Sequence, residues 1–446
     1  MAQRELVASP TWQPATCAVT PSSRTPNAAT APGSPTWRFS MLLQAPHRLS
    51  FFMAAVMLAL AGLWWATMLT ARALQWPMDV AVPGSSIHAL LMSLGFMPLF
   101  FCGFLFTAGP KWLHLPEVSA RSLLPMLASM LAGWAVALIG FHFHATIAGV
   151  GMALVALGWT VLSLRFVRMV GTSRMTDRTH PALAAIACLI GAALIWGIAL
   201  ALAFESYQML RTFIQVVIWC FVAPVFAVVS HRMIPFFSAT VMPALDTWRP
   251  LWLLWVMLAA LGLEGLFSVA DLWWWPLPIA IRWLQVALEI PMALLMLWLA
   301  IRWGVIQSLK IRLLAMLHGG FVWFGVFFGL NAVSHLLMAQ SNDARSLGLA
   351  PLHAMTMGYL AATMFAMTTR VSTGHGGRKE PADNLAWTLY WILQIATAMR
   401  VASALLSAYA TPLTLAAISA WCIAMVGWAI RYGRWFGLPR PDGRPG

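Results

Sequence analysis

From residue 50 to residue 432 the chain is a succession of apolar runs, each about twenty residues or longer, joined by short polar links. Of its 446 residues 61% are hydrophobic and 9% charged, and mean hydropathy is +0.78, more apolar side chain than a water-soluble core can enclose. Lipid is therefore the expected solvent. A membrane strand needs only about ten residues with alternating polarity, so these longer, unalternating runs exclude an outer-membrane barrel. The expected fold is an all-α membrane protein, a polytopic bundle of about twelve transmembrane helices.

At bilayer length the spans fall near residues 50–73, 86–108, 119–141, 144–164, 181–203, 212–237, 248–270, 277–301, 311–337, 349–370, 385–408 and 412–432. They define a transmembrane domain over 45–435. Residues 1–44, rich in Ser, Pro, Thr and Ala and without an apolar signal core, read as a disordered tail, and 436–446 as a short second tail.

A formal charge of +14 raises the question of nucleic acid, but the cations occupy short links and form no single basic face, so that partner is excluded. Orientation explains them better. One set of links holds Lys111, Arg121, Arg165, Arg168, Arg174, Arg178, Arg249, Arg302, Lys310, Arg312, Arg370, Arg378 and Lys379, followed by Arg431, Arg434, Arg440 and Arg444 at the end. The other set holds Asp79, Glu205, Asp271 and Asp343, with Arg72, Arg211, Arg282 and Arg345. Under the positive-inside rule this places the protein in a bacterial cytoplasmic membrane with both termini cytoplasmic. The 5 cysteines show no CxxC spacing, which excludes a thiolate cluster of that kind, and Trp273, Trp274 and Trp275 suit an interfacial aromatic belt.

The 11 histidines are the main chemical resource, because an imidazole within a span needs a partner. Depth sorts the candidates. His88, His142, His144, His335 and His353 fall toward the outer side; His231, His318 and His375 fall toward the cytoplasm. Imidazoles converging from separate helices can hold haem iron or copper, and reduced copper also accepts thioether. His353 and Met357 lie at i and i+4, on one helix face. A hydrogen bond to a neighbouring helix satisfies a membrane histidine equally well, and both readings stay open. Glu264, Glu289 and Arg400 lie well inside spans and should face the bundle interior, as a proton path, a structural ion pair or, for Arg400, a propionate partner.

Several segments resemble the NnrS family. They are His88 with Gly95-Phe96; Gly103 to Trp112; Arg232-Met-Ile-Pro-Phe-Phe237; Leu317-His318-Gly-Gly; His353-Ala-Met-Thr-Met-Gly358; Thr369-Arg370-Val-Ser-Thr-Gly374-His375-Gly-Gly-Arg378; and Arg440 to Gly446. The resemblance runs from about Ala45 to the C-terminus. NnrS proteins are described as haem- and copper-containing bacterial membrane proteins associated with denitrification and nitric oxide tolerance. The resemblance implies metal contacts at His88, His318, His353 and His375, with Arg232 and Arg370 as propionate or anion partners. Leu90 stands where many relatives have a second histidine and His231 where many have glycine, so His231 or the His142/His144 pair are further ligand candidates.

The expected function is thus a haem and copper membrane protein acting on nitric oxide or a derived small molecule. Residue types leave open whether it turns over a substrate and which electron donor serves it. A secondary transporter using Glu264, Glu289 and Arg400 is the alternative, although no paired halves with matching broken helices are evident. A membrane sensor ranks last, because no link is long enough for an output domain.

Overall fold

The computed structural model describes residues 36–241, 248–378 and 382–442, and among them there is no strand. In chain order the long helices are α1 (Pro46–Ala73), α2 (Gly84–Trp112), α3 (Ala120–Phe143), α4 (Ala145–Thr172), α5 (Thr179–Ala203), α6 (Tyr207–Thr240), α7 (Leu251–Trp274), α8 (Ile279–Arg302), α9 (Arg312–Ser341), α10 (350–375), α11 (Asn384–Leu405) and α12 (Ser407–Phe436). Ten of them are long and apolar enough to cross a bilayer. The other two, α10 and α11, have the length but carry more polar side chains, among them Thr363, Thr369 and Arg370 on α10 and Gln394, Thr397 and Arg400 on α11. The chain is therefore an all-α polytopic membrane protein, and each expected apolar run is one of its helices. The largest boundary difference is at α4, which runs on to Thr172 where an end near 164 was expected. The added turns carry Arg165, whose guanidinium donates to the Ser122 carbonyl at 3.0 Å and so ties α4 to the start of α3.

The tail expected over 1–44 lies outside the described residues as far as 35. From there the chain is docked: the Arg38 N–H donates to the Gly437 carbonyl at 2.8 Å, and Trp37 packs 5.7 Å from Phe52. Arg48 on α1 donates to the carbonyls of Phe436 and Leu438, so the two described ends of the chain lie side by side. The short links reverse the chain from each helix to the next. The end of the bundle that carries residues 38 and 437 is called here the terminal end; the other is the far end.

Neighbours in sequence are mostly neighbours in space: α3 packs on α4, α4 on α5, α8 on α9 and α11 on α12, while α12 closes against α1. Lipid tails give helices no hydrophobic reason to associate, so close van der Waals approach must do it. Between α3 and α4 small residues provide that approach. A Cβ on Gly133 would stand 2.6 Å from the Gly151 carbonyl oxygen and 2.8 Å from the Val155 nitrogen, both backbone atoms that cannot turn aside. Gly133→Ala should therefore destabilise the protein by about 1–3 kcal/mol. Gly262→Ala, where nothing lies within 4 Å, should be neutral or stabilising. Thermal unfolding of the two variants in detergent checks the contrast; equal midpoints would remove the packing argument.

Among the described residues three helices contain a π-helical segment: Leu91–Gly95 in α2, Ile218–Val222 in α6 and Ala354–Ala361 in α10. Such bulges misalign the backbone ladder and recur at functional sites. All three border the same cavity.

Candidate functional site

A cavity of about 340 Å³ opens toward the far end of the bundle, within the range of about 300–1,000 Å³ usual for small-molecule and cofactor sites. Met92 and Ser93 of the first π-helical segment, Ile218 and Val222 of the second, and Thr356, Met357 and Leu360 of the third line it. His88, His353 and Arg400 line it as well. His88 lies one turn before the π-segment of α2, and His353 lies directly before that of α10. The wider turn that follows each histidine re-aims the side chains beyond it.

The two imidazoles are held differently. His88 stacks on Trp65 of α1, with ring centroids 4.1 Å apart and planes 20° apart, and its Nδ1 is buried without a hydrogen-bond partner. The Nδ1–H of His353 donates to the Leu349 carbonyl at 2.9 Å, which leaves Nε2 as the unprotonated nitrogen. A backbone carbonyl behind an imidazole is the arrangement that orients metal-ligating histidines. Arg400 donates to Ser403 Oγ at 2.9 Å and finds no carboxylate partner among the described residues. Arg211 and Gln215 of α6 and Trp421 of α12 complete the polar and aromatic lining, and the indole nitrogen of Trp421 is also buried without a partner. The cavity thus offers imidazole, two guanidinium groups and flat aromatic walls inside an apolar shell.

The remaining candidates lie elsewhere. At the far end, His142 accepts from Trp64 Nε1 at 3.0 Å, and His144 caps α4 by accepting from the Thr146 N–H at 3.2 Å. His335 Nδ1 bonds both oxygens of Glu289, at 2.7 and 3.0 Å. At the terminal end, His318 Nε2 bonds Ser238 Oγ at 2.9 Å. His231 donates from Nε2 to the Pro250 carbonyl at 3.2 Å, so its Nδ1 accepts from His180 Nε2 at 2.9 Å. His375 packs 4.7 Å from His47. Arg232 lies over the ring of Trp112 at 4.7 Å and Arg370 over Phe237 at 3.9 Å. Two layers of histidines at the expected depths are therefore present, and of the outer layer only His88 and His353 share the cavity.

His47 and His180 were not among the candidates. With spans drawn from 50 and 181 both fell in links, whereas each is the second residue of its helix, in Pro46–Ala73 and Thr179–Ala203. The Pro46 preceding His47 was the available signal, since proline favours the first turn of a helix.

These features define an all-helical membrane protein with a histidine- and arginine-lined cavity near one end of its bundle. The profile of the NnrS protein family matches residues 41–440, so the chain belongs to the NnrS family and with it to proteins linked to nitric oxide. Among curated proteins none matches the chain.

Proposed function

We propose that this protein is a haem- and copper-dependent membrane protein acting on nitric oxide or a derived small molecule, with the far-end cavity as its site. One observation carries the reading: three π-helical segments converge on a cavity that holds an orphaned imidazole nitrogen at His88 and a carbonyl-oriented imidazole at His353. A single structural histidine would not call for three separate interruptions of helix geometry.

The lining fits a haem. Imidazole nitrogen is available for the iron, Arg400 and Arg211 are cations for propionates, and Trp65 and Trp421 offer planar walls. A haem bound there would supply affinity for nitric oxide. The protein's part is positional: Trp65 fixes the plane of His88, the Leu349 carbonyl fixes the tautomer of His353, and the apolar shell limits water. For copper the donors at the cavity are His353 and Met357, since no three His, Cys, Asp or Glu side chains among the described residues stand together as a metal site.

The family link supports a role in denitrification or nitrosative-stress tolerance, and the charge pattern of the links supports a bacterial cytoplasmic membrane with the terminal end inside. Protein purified in mild detergent after growth with haem and copper supplied should show a Soret band that shifts on adding nitric oxide. Absence of both haem and copper from such a preparation would overturn the proposal.

A further inference from the structure

A second polar centre lies among α7, α8 and α9. Glu264 on α7 is 5% exposed and Glu289 on α8 is 1% exposed. The two carboxyl groups are close enough to interact directly. Asn331 Nδ2 on α9 donates to Glu264 Oε2 at 2.9 Å, and one turn later His335 Nδ1 meets both Glu289 oxygens at 2.7 and 3.0 Å. Two turns from Glu289 toward the far end, Arg282 holds Asp271 and Asp343 and donates to Gln285 Oε1 at 3.1 Å. Gln285 stands between the two groups, fully buried, with its Nε2 lacking a partner. From the adjoining helices, Cys220 of α6 lies beside Gly265, and Tyr359 of α10 faces the cluster's helices through Phe324 while bonding Ser230.

The charge balance is uneven. One guanidinium and one imidazole stand among four carboxyl groups, and the guanidinium is already committed to Asp271 and Asp343. Two carboxylates side by side in an apolar interior, with one imidazole bonded to Glu289, cannot all adopt charge without cost, and a bound proton removes that cost. A purely structural pair would need one carboxyl, whereas here there are two, Glu289 bonded to the imidazole of His335 and Glu264 bonded to Asn331.

We propose that Glu264, Glu289 and His335 form an exchangeable proton-binding site within the membrane part of the bundle, facing the far end through Gln285 and Arg282. The proton moves between a glutamate oxygen and His335 Nδ1, with no other bond made or broken. The site is independent of whatever occupies the cavity between His88 and His353.

The test is infrared difference spectroscopy of the full-length protein in lipid vesicles, titrated with pH in water and in deuterium oxide. The expected result is a protonated-carboxyl C=O band that disappears as pH rises, shifts to lower frequency in deuterium oxide, and is lost in both Glu264→Gln and Glu289→Gln. The wild-type titration stands alone if a variant fails to fold. A wild-type spectrum without such a band, a band unchanged across the titration, or one that follows sodium concentration at constant pH would overturn the proposal. So would a band retained in both folded variants.

Discussion

Replacing His88 or His353 by alanine should abolish the Soret absorbance of the purified protein, while replacing His144 or His231 should leave it intact. The contrast follows from what each imidazole already does. His144 is committed to capping α4, and His231 is bonded at both nitrogens, to His180 and to Pro250. His88 has a buried nitrogen with nothing to bond, and His353 is oriented from behind with Nε2 left open. Loss of a residue that merely supports a metal ligand costs about 10–100-fold in affinity, so loss of the ligand itself should cost more than about 100-fold. Two controls separate ligation from folding. Both variants should insert and elute as the parent does, because cavity-lining side chains leave the helix packing untouched. Added imidazole should also restore a Soret band to the alanine variants, since the vacated space admits the missing ring. Unchanged spectra in both variants would remove the cavity from consideration as the haem site.

The architecture was legible because a bilayer imposes its thickness on the sequence: each helix must be about twenty residues and mostly apolar. Even α10 and α11, the least apolar of the long helices, were readable as spans from length and spacing. Depth was legible too, since position along a span gives height in the bundle, and His88 and His353 do share a level. Lateral position was not. Which helix faces which is decided by close contacts such as Gly133 against Gly151, and nothing in a single sequence ranks those contacts. For that reason depth alone could not separate His142 and His335 from His88, although one bonds Trp64 and the other Glu289. The π-helical segments were equally hidden, because Leu91–Gly95 and Ala354–Ala361 have compositions that suit an ordinary α-helix. Trp65 and Trp421, which no motif marked, line the cavity as well.

Arg282→Ala should be among the most destabilising single changes in the molecule, at about 3–5 kcal/mol, because it would leave carboxylates without their cation in a buried place. Arg282 is 1% exposed, and its guanidinium engages Asp271 through two bonds, at 2.6 and 3.0 Å, and Asp343 Oδ1 at 2.9 Å. Asp271 is 28% exposed and keeps some water, but Asp343 is only 5% exposed, so the cost falls chiefly on the latter. The contact also has a mechanical role. Asp271 ends α7, Arg282 begins α8 and Asp343 follows α9, so one side chain clamps three helices at the far end. Lysine would keep the charge but not the planar fork that reaches both carboxylates, and Arg282→Lys should recover only part of the loss. Neutralising all three partners, as Arg282→Met with Asp271→Asn and Asp343→Asn, should come closer to the parent than Arg282→Ala does, since no unpaired charge then remains. Denaturant titration in mixed micelles measures the series. A cost below about 1 kcal/mol for Arg282→Ala would mean that water reaches the clamp and that it behaves as a surface ion pair. In that case the polar centre at Glu264 and Glu289 would also stand nearer to solvent than the packing of α7, α8 and α9 implies.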